Sequence, residues 1–186
     1  MTRVPLLVLL LVSCNGAGAD GDGSPSSHDS DGSVARVDGG QSALDVYQSG
    51  SRIRMRVGTT ADGAKEFRGW HDLDLGVDCW FNLAGDGVTR CLPSQVAWMG
   101  AYYADAGCTV PIAYGAPCGT APAYASGSSL CGSHIYPVSG VFTGATVYSG
   151  SPASCYGSAP VSTYTYYSIG AEVAPATFQA MTESVE

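Results

Sequence analysis

The sequence predicts an all-β protein: a single antiparallel domain, stapled by disulfides and built as a sandwich, a barrel or a meander, that follows a disordered tether. Apolar and polar residues alternate with a period of two in several short segments, as in half-buried strands. Clusters of Gly, Pro and Ser separate these segments, and only residues 176–181 hint at a helix. Six of the 7 cysteines lie beyond residue 78, and an even set suits disulfide pairing.

The strand predictions begin with residues 52–57, which alternate strictly and place Ile53, Met55 and Val57 on one face. A turn over residues 61–63 lets residues 66–71 pair back as the second strand of a hairpin. Further strands are predicted at residues 79–83, 88–92, 96–103, 108–114, 134–138, 141–148 and 161–169.

The six cysteines of the domain permit 15 pairings, of which local geometry favours the sequential one. If Leu83 faces Val88 across the turn over residues 84–87, one bulged residue puts Cys79 opposite Cys91. The predicted disulfides are Cys79 with Cys91, Cys108 with Cys118, and Cys131 with Cys155. Thiolate zinc sites use cysteine pairs two to four residues apart, a spacing that this chain lacks. We therefore expect no metal and no cofactor.

The chain divides into three predicted parts: an export signal over residues 1–13, a tether over 14–44 and the β domain over 45–186. Residues 15–44 contain seven Gly, six Ser and five Asp and almost no large apolar side chain. Such a segment cannot bury enough apolar surface to offset the entropy of ordering it, so we expect it to be disordered. The domain has enough residues for one hydrophobic core.

The export signal begins with the positive charge of Arg3 and an apolar stretch over residues 4–12. This stretch is too short to span a bilayer, which takes about 20 helical residues. It ends in Leu11-Val12-Ser13-Cys14, which resembles the lipobox of bacterial lipoproteins.

The resemblance implies cleavage before Cys14, a diacylglyceryl group on its thiol and a further fatty acid, such as palmitate, on its amino group. The residue after the cysteine is Asn15 and not an Asp, and in this respect the chain resembles lipoproteins of the outer membrane. The alternative is an ordinary secretory signal, with Cys14 removed or left as a free thiol.

Two further segments, residues 103–109 and 166–173, are similar to segments of a group of cysteine-containing lipoproteins from myxobacteria. This resemblance covers most of residues 51–178. It implies an exported, lipid-anchored protein and no particular activity.

The charge balance excludes two classes of partner. The chain has 8 Lys and Arg against 16 Asp and Glu, a formal net charge of -8. Binding a nucleic acid or lying on an anionic membrane through a basic helix needs clustered positive charge. Residues 91–186 contain no Lys or Arg at all.

The densest group of ionisable residues is His71 with Asp72, Asp74 and Asp78. A histidine among carboxylates is typical of a general base, which gives one hypothesis: a secreted-type hydrolase or carbohydrate-active enzyme. Neighbouring strand residues point to opposite faces, however, so a polar surface turn is the simpler interpretation.

His134 has no acidic neighbour in the sequence, and Ser126–Ser129 reads as a loop. We therefore expect no Ser/His/acid triad.

Aromatic residues suggest binding instead. Ten of the 11 tyrosines lie between Tyr102 and Tyr167, and exposed Tyr and Trp side chains stack on sugars or protein partners. The candidate binding residues are Trp70, His71, Tyr102, Tyr164 and Tyr166. The alternative is that these tyrosines simply pack in the sheet. We expect a non-enzymatic, lipid-anchored envelope protein whose β domain has a binding or a structural role. Its expected partners are the membrane, through the lipid anchor, and a glycan or protein ligand, and we expect no nucleic-acid partner.

Overall fold

Residues 47–185 are described by a computed structural model of the chain. The predicted export signal, the predicted lipidation site Cys14 and the predicted tether lie outside these residues. The described part is all-β, as predicted, and contains no α-helix. The first four strands are β1 (Ile53–Thr59), β2 (Lys65–Asp72), β3 (Val77–Leu83) and β4 (Thr89–Pro93). The next seven are β5 (Val96–Tyr103), β6 (Pro111–Gly115), β7 (Tyr124–Ser129), β8 (Gly132–Val141), β9 (Val147–Ser151), β10 (Ser154–Ser158) and β11 (Thr165–Ile169).

Strands β1 to β4 form an antiparallel sheet in sequence order, which we call the first sheet. Its core consists of Ile53, Cys79 and Cys91, with Trp70 and Phe81 packed against them. The Cys79–Cys91 disulfide is present as predicted, with Cα atoms 5.2 Å apart. The predicted bulge is absent from this hairpin: Cys91 lies opposite Phe81, and the disulfide joins diagonal neighbours.

Five of the remaining strands close into a barrel in the order β5-β6-β11-β8-β7, with β7 returning to β5. This last contact is parallel, whereas the other four are antiparallel. The interior is filled by Ala97, Ala113, Ala125 and Tyr167, all at most 4% exposed. Small side chains suit this position because a five-stranded barrel has a narrow interior.

The hairpin of β9 and β10 extends the sheet from β5, where Tyr103 lies opposite Tyr148. This pairing brings β10 beside the loop that follows β5, and Cys108 bonds to Cys155 there. The predicted Cys108–Cys118 and Cys131–Cys155 pairs are therefore wrong.

The physical reason is the course of the chain between the cysteines. Strand β6 separates Cys108 from Cys118, and five extended residues span about 17 Å, well beyond the Cα separation that a disulfide accepts. Cys131 lies in the turn between β7 and β8. Cys118 and Cys131 are both exposed and unpaired.

Several strand boundaries differ from the predicted ones. Strands β7 and β10 were not predicted, because their Ser and Gly residues show no apolar alternation. The predicted strand over 141–148 is divided between the end of β8, a loop and the start of β9. The helical hint near residue 176 corresponds to one 3-10 turn, Pro175–Thr177. Within residues 47–185 no helix is long and apolar enough to cross a membrane.

The first sheet and the barrel share a core of Ala84, Leu92, Ile135 and Phe178. Contact between them is close at Gly132, where an added Cβ would collide with the carbonyl of Ala84. Gly132 also has a φ of 137°, which disfavours any other residue. The turn after β3 is thereby fixed against the β7–β8 hairpin.

Candidate ligand-binding site

The four residues of the His71 group do not converge on one site. His71 and Asp72 are neighbours on β2 and point to opposite faces, as the strand period requires. The Asp72 side chain is fully buried and accepts hydrogen bonds from Arg52 Nη2 at 2.7 Å and from the backbone N–H groups of Asp74 and Leu75. The Asp74 carboxylate is mostly exposed and lies 3.3 Å from Arg52. Asp72 and Asp74 therefore stabilise the turn between β2 and β3.

Burial alone would raise the pKa of Asp72, but hydrogen bonds from Arg52 and the Leu75 N–H outweigh it and hold that pKa below its usual value. Asp72 is accordingly an ionised structural group. It closes the turn from inside the protein and is inaccessible to a substrate.

His71 and Asp78 do meet, because they are directly opposite each other on β2 and β3. The His71 Nδ1 atom lies 2.8 Å from Asp78 Oδ1, and Arg56 binds the other carboxylate oxygen. The two residues line a cleft of about 270 Å³ between the first sheet and the barrel, and Gln95 and Tyr124 line its other side. This volume falls just below the range of about 300–1,000 Å³ that is typical of small-molecule pockets.

Trp70, one of the candidate binding residues, belongs to the packing of the first sheet. Its ring contacts Phe67 and Phe81 edge to face, with centroids 5.3 and 6.0 Å away. The side chain is half-buried against the disulfide core. Trp70 is therefore placed to stabilise the sheet.

A second group of aromatic rings lies along the outer side of the barrel, and we call it the aromatic face. It consists of Trp98, Tyr102, Tyr114 and Tyr164. Trp98 on β5 lies directly opposite Tyr114 on β6, and their ring centroids are 6.3 Å apart. The Tyr114 ring is 5.0 Å from Tyr164 and 5.3 Å from Tyr102. Cross-strand neighbours share a face of the sheet, which explains the alignment of these rings.

The aromatic face is open to solvent at its ends and supported in the middle. Trp98 is 56% exposed and Tyr164 is 40% exposed. Tyr166, a further candidate residue, is only 3% exposed and packs edge to face on Tyr102 at 5.3 Å. Tyr166 thus belongs to the small core beneath the face, together with Ile112 and Val147.

The backbone leaves room for these rings at Gly100, where an added Cβ would approach a carbon of the Tyr114 ring to 3.0 Å. The face is also uncharged. Burial, followed by the proximity of Tyr166 and Tyr164, raises the pKa of Tyr102. Its hydroxyl therefore remains a neutral hydrogen-bond donor at physiological pH.

His134 is not isolated, contrary to the expectation from the sequence. Its Nδ1 atom lies 2.6 Å from Glu172 Oε1, and its Nε2 atom lies 3.1 Å from Ser129 Oγ. Ser129 is the last residue of β7 and not part of a loop. The expectation failed because Glu172 is 38 residues away in the chain.

The antiparallel arrangement of β8 and β11 brings Glu172 to His134. Beyond the last paired residues, the backbone contact continues through Gly170 N–H to Pro137 O and Val173 N–H to Ile135 O. Predicting this contact from the sequence would require knowledge of the register between β8 and β11. The composition of the two strands does not reveal that register.

Within the described part of the chain, no three or more His, Cys, Asp or Glu side chains are grouped to hold a metal ion. The Asp105 carboxylate is bound within its own loop, by the backbone N–H of Val110 at 2.7 Å and the Thr109 hydroxyl at 2.7 Å. Hydrogen bonds from the Val110 N–H and the Thr109 hydroxyl lower its pKa to about 2. This carboxylate orders the loop that carries Cys108.

Comparison with the curated proteins and with the solved structures finds no match for the chain. A family model does match, over residues 32–185, which include the whole of the first sheet and the barrel. The chain therefore belongs to DUF7481, a family of unknown function.

Proposed function

We propose that this protein is a lipid-anchored protein of the bacterial outer membrane whose β domain binds a neutral glycan on the aromatic face. The observation that carries the proposal is the row of rings from Trp98 through Tyr114 to Tyr164, exposed at both ends. The proposed role is binding without a chemical reaction, and the face offers stacking surfaces and phenol hydroxyls and no carboxylate or imidazole.

The chemistry of sugars fits such a face. Trp and Tyr rings offer a rigid apolar surface at a low cost in side-chain entropy, and their N–H and O–H groups remain available for hydrogen bonds. A sugar ring presents C–H groups on its faces and hydroxyls at its edges. Successive rings of an extended glycan can therefore stack on Trp98 and Tyr164 while their hydroxyls contact the phenols.

The charge distribution favours a neutral ligand over an anionic one. The aromatic face lies in the part of the chain that has no Lys or Arg, residues 91–186. An anionic glycan or a nucleic acid would find no counter-charge there, and the net charge of -8 would repel it.

The test is a glycan array followed by titration calorimetry with cellohexaose, chitohexaose and maltohexaose as probes. We expect at least one neutral glycan to bind, and we expect Trp98→Ala and Tyr164→Ala each to weaken binding about 10-fold, the equivalent of roughly 1.4 kcal/mol.

The chain offers matched controls elsewhere on its surface. Trp80 is 45% exposed and Tyr156 is 68% exposed, and both lie off the aromatic face. Trp80→Ala and Tyr156→Ala should leave binding unchanged. Equal loss in all four variants, or no neutral glycan retained by the wild-type protein, would overturn the proposal.

The proposed anchor rests on the resemblance of Leu11-Val12-Ser13-Cys14 to a lipobox. Two or three acyl chains give a stable anchor, whereas one chain binds only marginally. Metabolic labelling with a palmitate analogue should mark the wild-type protein, and Cys14→Ala should abolish the label and release the protein from the membrane fraction. Labelling that survives Cys14→Ala would contradict the anchor.

A second candidate function is a hydrolase that uses the His71–Asp78 pair, and the cleft around this pair favours it. Asp72 and Asp74 do not face this cleft, so the pair would act without them. Asp78→Asn should then abolish hydrolysis of glycoside substrates and leave glycan binding at the aromatic face unchanged.

A further inference from the structure

We propose that Ser129, His134 and Glu172 form a nucleophile–base–acid triad that cleaves small acyl esters. This activity goes beyond the proposed glycan binding and departs from the expectation of a non-enzymatic protein. It is located at the tip of the β7–β8 hairpin, whereas the His71 cleft is lined by Tyr124 at the other end of β7.

The contacts of His134 fix its proton arrangement. An ionised Glu172 carboxylate can only accept, so the Nδ1 atom of His134 carries the hydrogen and donates it across 2.6 Å. In the neutral imidazole, Nε2 then presents a lone pair to Ser129 Oγ at 3.1 Å. This is the arrangement in which a histidine can take a proton from a serine.

The surroundings of Ser129 favour attack by its oxygen. The backbone N–H of Cys131 donates to Oγ at 3.2 Å and stabilises negative charge that develops on it. The Ser129 hydroxyl hydrogen has two acceptors at the same distance of 3.1 Å, His134 Nε2 and the Gly132 carbonyl. When the imidazole is protonated, Nε2–H donates to Oγ and the hydroxyl turns to Gly132.

The imidazole ring is held from one side by the turn after β3. An added Cβ at Gly85 would lie 2.6 Å from His134 Cε1, and the Gly85 N–H donates to the carbonyl of Ser133 at 2.9 Å. The turn is itself fixed by the contact between Ala84 and Gly132. Gly85 and Glu172 are therefore positioning residues for His134.

The reaction follows from these positions. Ser129 Oγ attacks the ester carbonyl carbon, and its proton passes to His134 Nε2. The bond from the acyl carbon to the alcohol oxygen breaks, and the imidazolium returns the proton to that oxygen. Water then attacks the acyl-serine, gives one proton through His134 to Ser129 Oγ, and releases the carboxylic acid.

The exposure of the site indicates the class of substrate. Ser129 is exposed, and the side chains of His134 and Glu172 are 30% and 38% exposed, so a bound ester is not enclosed. No Lys or Arg is present in residues 91–186 to bind a substrate anion. These features suit a short, uncharged acyl group such as an acetyl ester.

The test is covalent labelling of the full-length protein with a fluorophosphonate probe, read by peptide mass spectrometry, together with hydrolysis of p-nitrophenyl acetate. The probe should label Ser129 in the wild-type protein and nothing in Ser129→Ala. His134→Gln should slow both reactions about 100-fold or more, the usual contribution of a general base. Ser128→Ala is the matched control and should label normally.

The role of Glu172 is tested by comparing Glu172→Gln with Glu172→Asp. Glu172→Gln should slow labelling and shift the pH profile of the rate, and Glu172→Asp should restore part of the rate because it keeps a carboxylate. A merely structural Glu172 would leave the pH profile unchanged.

Thermal unfolding checks that each variant is folded. No labelling of the folded wild-type protein under conditions that label a known serine hydrolase, or equal labelling in Ser129→Ala, would overturn the triad. Trp98→Ala should label like the wild type, which separates this result from the test of glycan binding.

Discussion

The first sheet pairs only strands that are neighbours in the sequence, whereas the barrel also needs pairings between strands that are not consecutive: β6 with β11, β11 with β8, and β7 with β5. The disulfide of the first sheet joins cysteines 12 residues apart, whereas the Cys108–Cys155 disulfide, which ties β10 to the loop after β5, joins cysteines 47 residues apart. The histidine pairs follow the same rule: His71 and Asp78 are 7 residues apart, and His134 and Glu172 are 38 apart. Both regions thus contain a disulfide and a histidine–carboxylate pair, but the paired residues are much farther apart in the sequence in the second region.

Candidate site residues are therefore easier to recognise in the sequence of the first sheet than in the sequence of the barrel. The His71 group was conspicuous because its members are close in the chain, yet two of its acids hold a turn. The aromatic face and the Ser129 triad are assembled only by strand pairing. Variants in the two regions should therefore differ in how strongly they affect stability.

The Cys108–Cys155 disulfide should contribute more stability than the disulfide of the first sheet. A longer closed loop restricts the unfolded chain more, so Cys108→Ala with Cys155→Ala should cost about 4 kcal/mol and Cys79→Ala with Cys91→Ala about 3 kcal/mol. Urea unfolding measures both. Intact mass under non-reducing conditions should show two disulfides, with Cys118 and Cys131 open to alkylation, and a bond between these two cysteines would contradict the pairing.

Asp72→Asn should be the most damaging change among the acids of the first sheet. It removes the buried partner of Arg52, which keeps only the exposed Asp74 carboxylate at 3.3 Å, and should cost about 3 kcal/mol, as breaking a buried pair does. Asp105→Asn, in the loop between β5 and β6, is the matched change at a less buried residue and should cost less. Equal midpoints in urea for the two variants would show that burial of Asp72 does not matter.

Both carboxylates should also make the fold sensitive to acid. Each has a folded-state pKa below its ordinary value of 3.8, about 2 for Asp105, so its contribution is complete above the ordinary pKa. The stability that each carboxylate contributes is lost as the pH falls from the ordinary pKa of 3.8 through the folded-state pKa. The melting temperature should therefore drop between pH 4 and pH 2, and the drop should be smaller in Asp105→Asn.

Substitutions in the two histidine–carboxylate pairs, His71–Asp78 and His134–Glu172, should have the smallest effects on stability. Both are partly exposed, and exposed pairs contribute about 0.2–1 kcal/mol. Asp78→Asn should destabilise more than Glu172→Gln, because Asp78 also binds Arg56. A larger loss in Glu172→Gln, measured by urea unfolding, would assign Glu172 a mainly structural role.

Much of the fold could be predicted from the sequence. The all-β class followed from the alternation at residues 52–57, and the Cys79–Cys91 disulfide followed from one hairpin. Barrel closure could not be predicted, because β7 contains only Ala, Ser and Gly after Tyr124, and the placement of such residues depends on pairing with β5 and β8.

The candidate sites were predicted in part. Tyr102, Tyr164 and Tyr166 do come together, but Tyr166 is buried and Trp98 and Tyr114, which were not singled out, complete the face. The alternation along β11 does not reveal which residues the β9–β10 hairpin covers. For the same reason, no local pattern around His134 pointed to Glu172.

The most direct test of glycan binding is NMR chemical-shift mapping of the full-length protein, with the oligosaccharide probe that binds most tightly. We expect the largest shifts at the indole N–H of Trp98 and at Tyr114 and Tyr164. Shifts concentrated at His71, Gln95 and Tyr124 would place the ligand in the cleft and contradict the account.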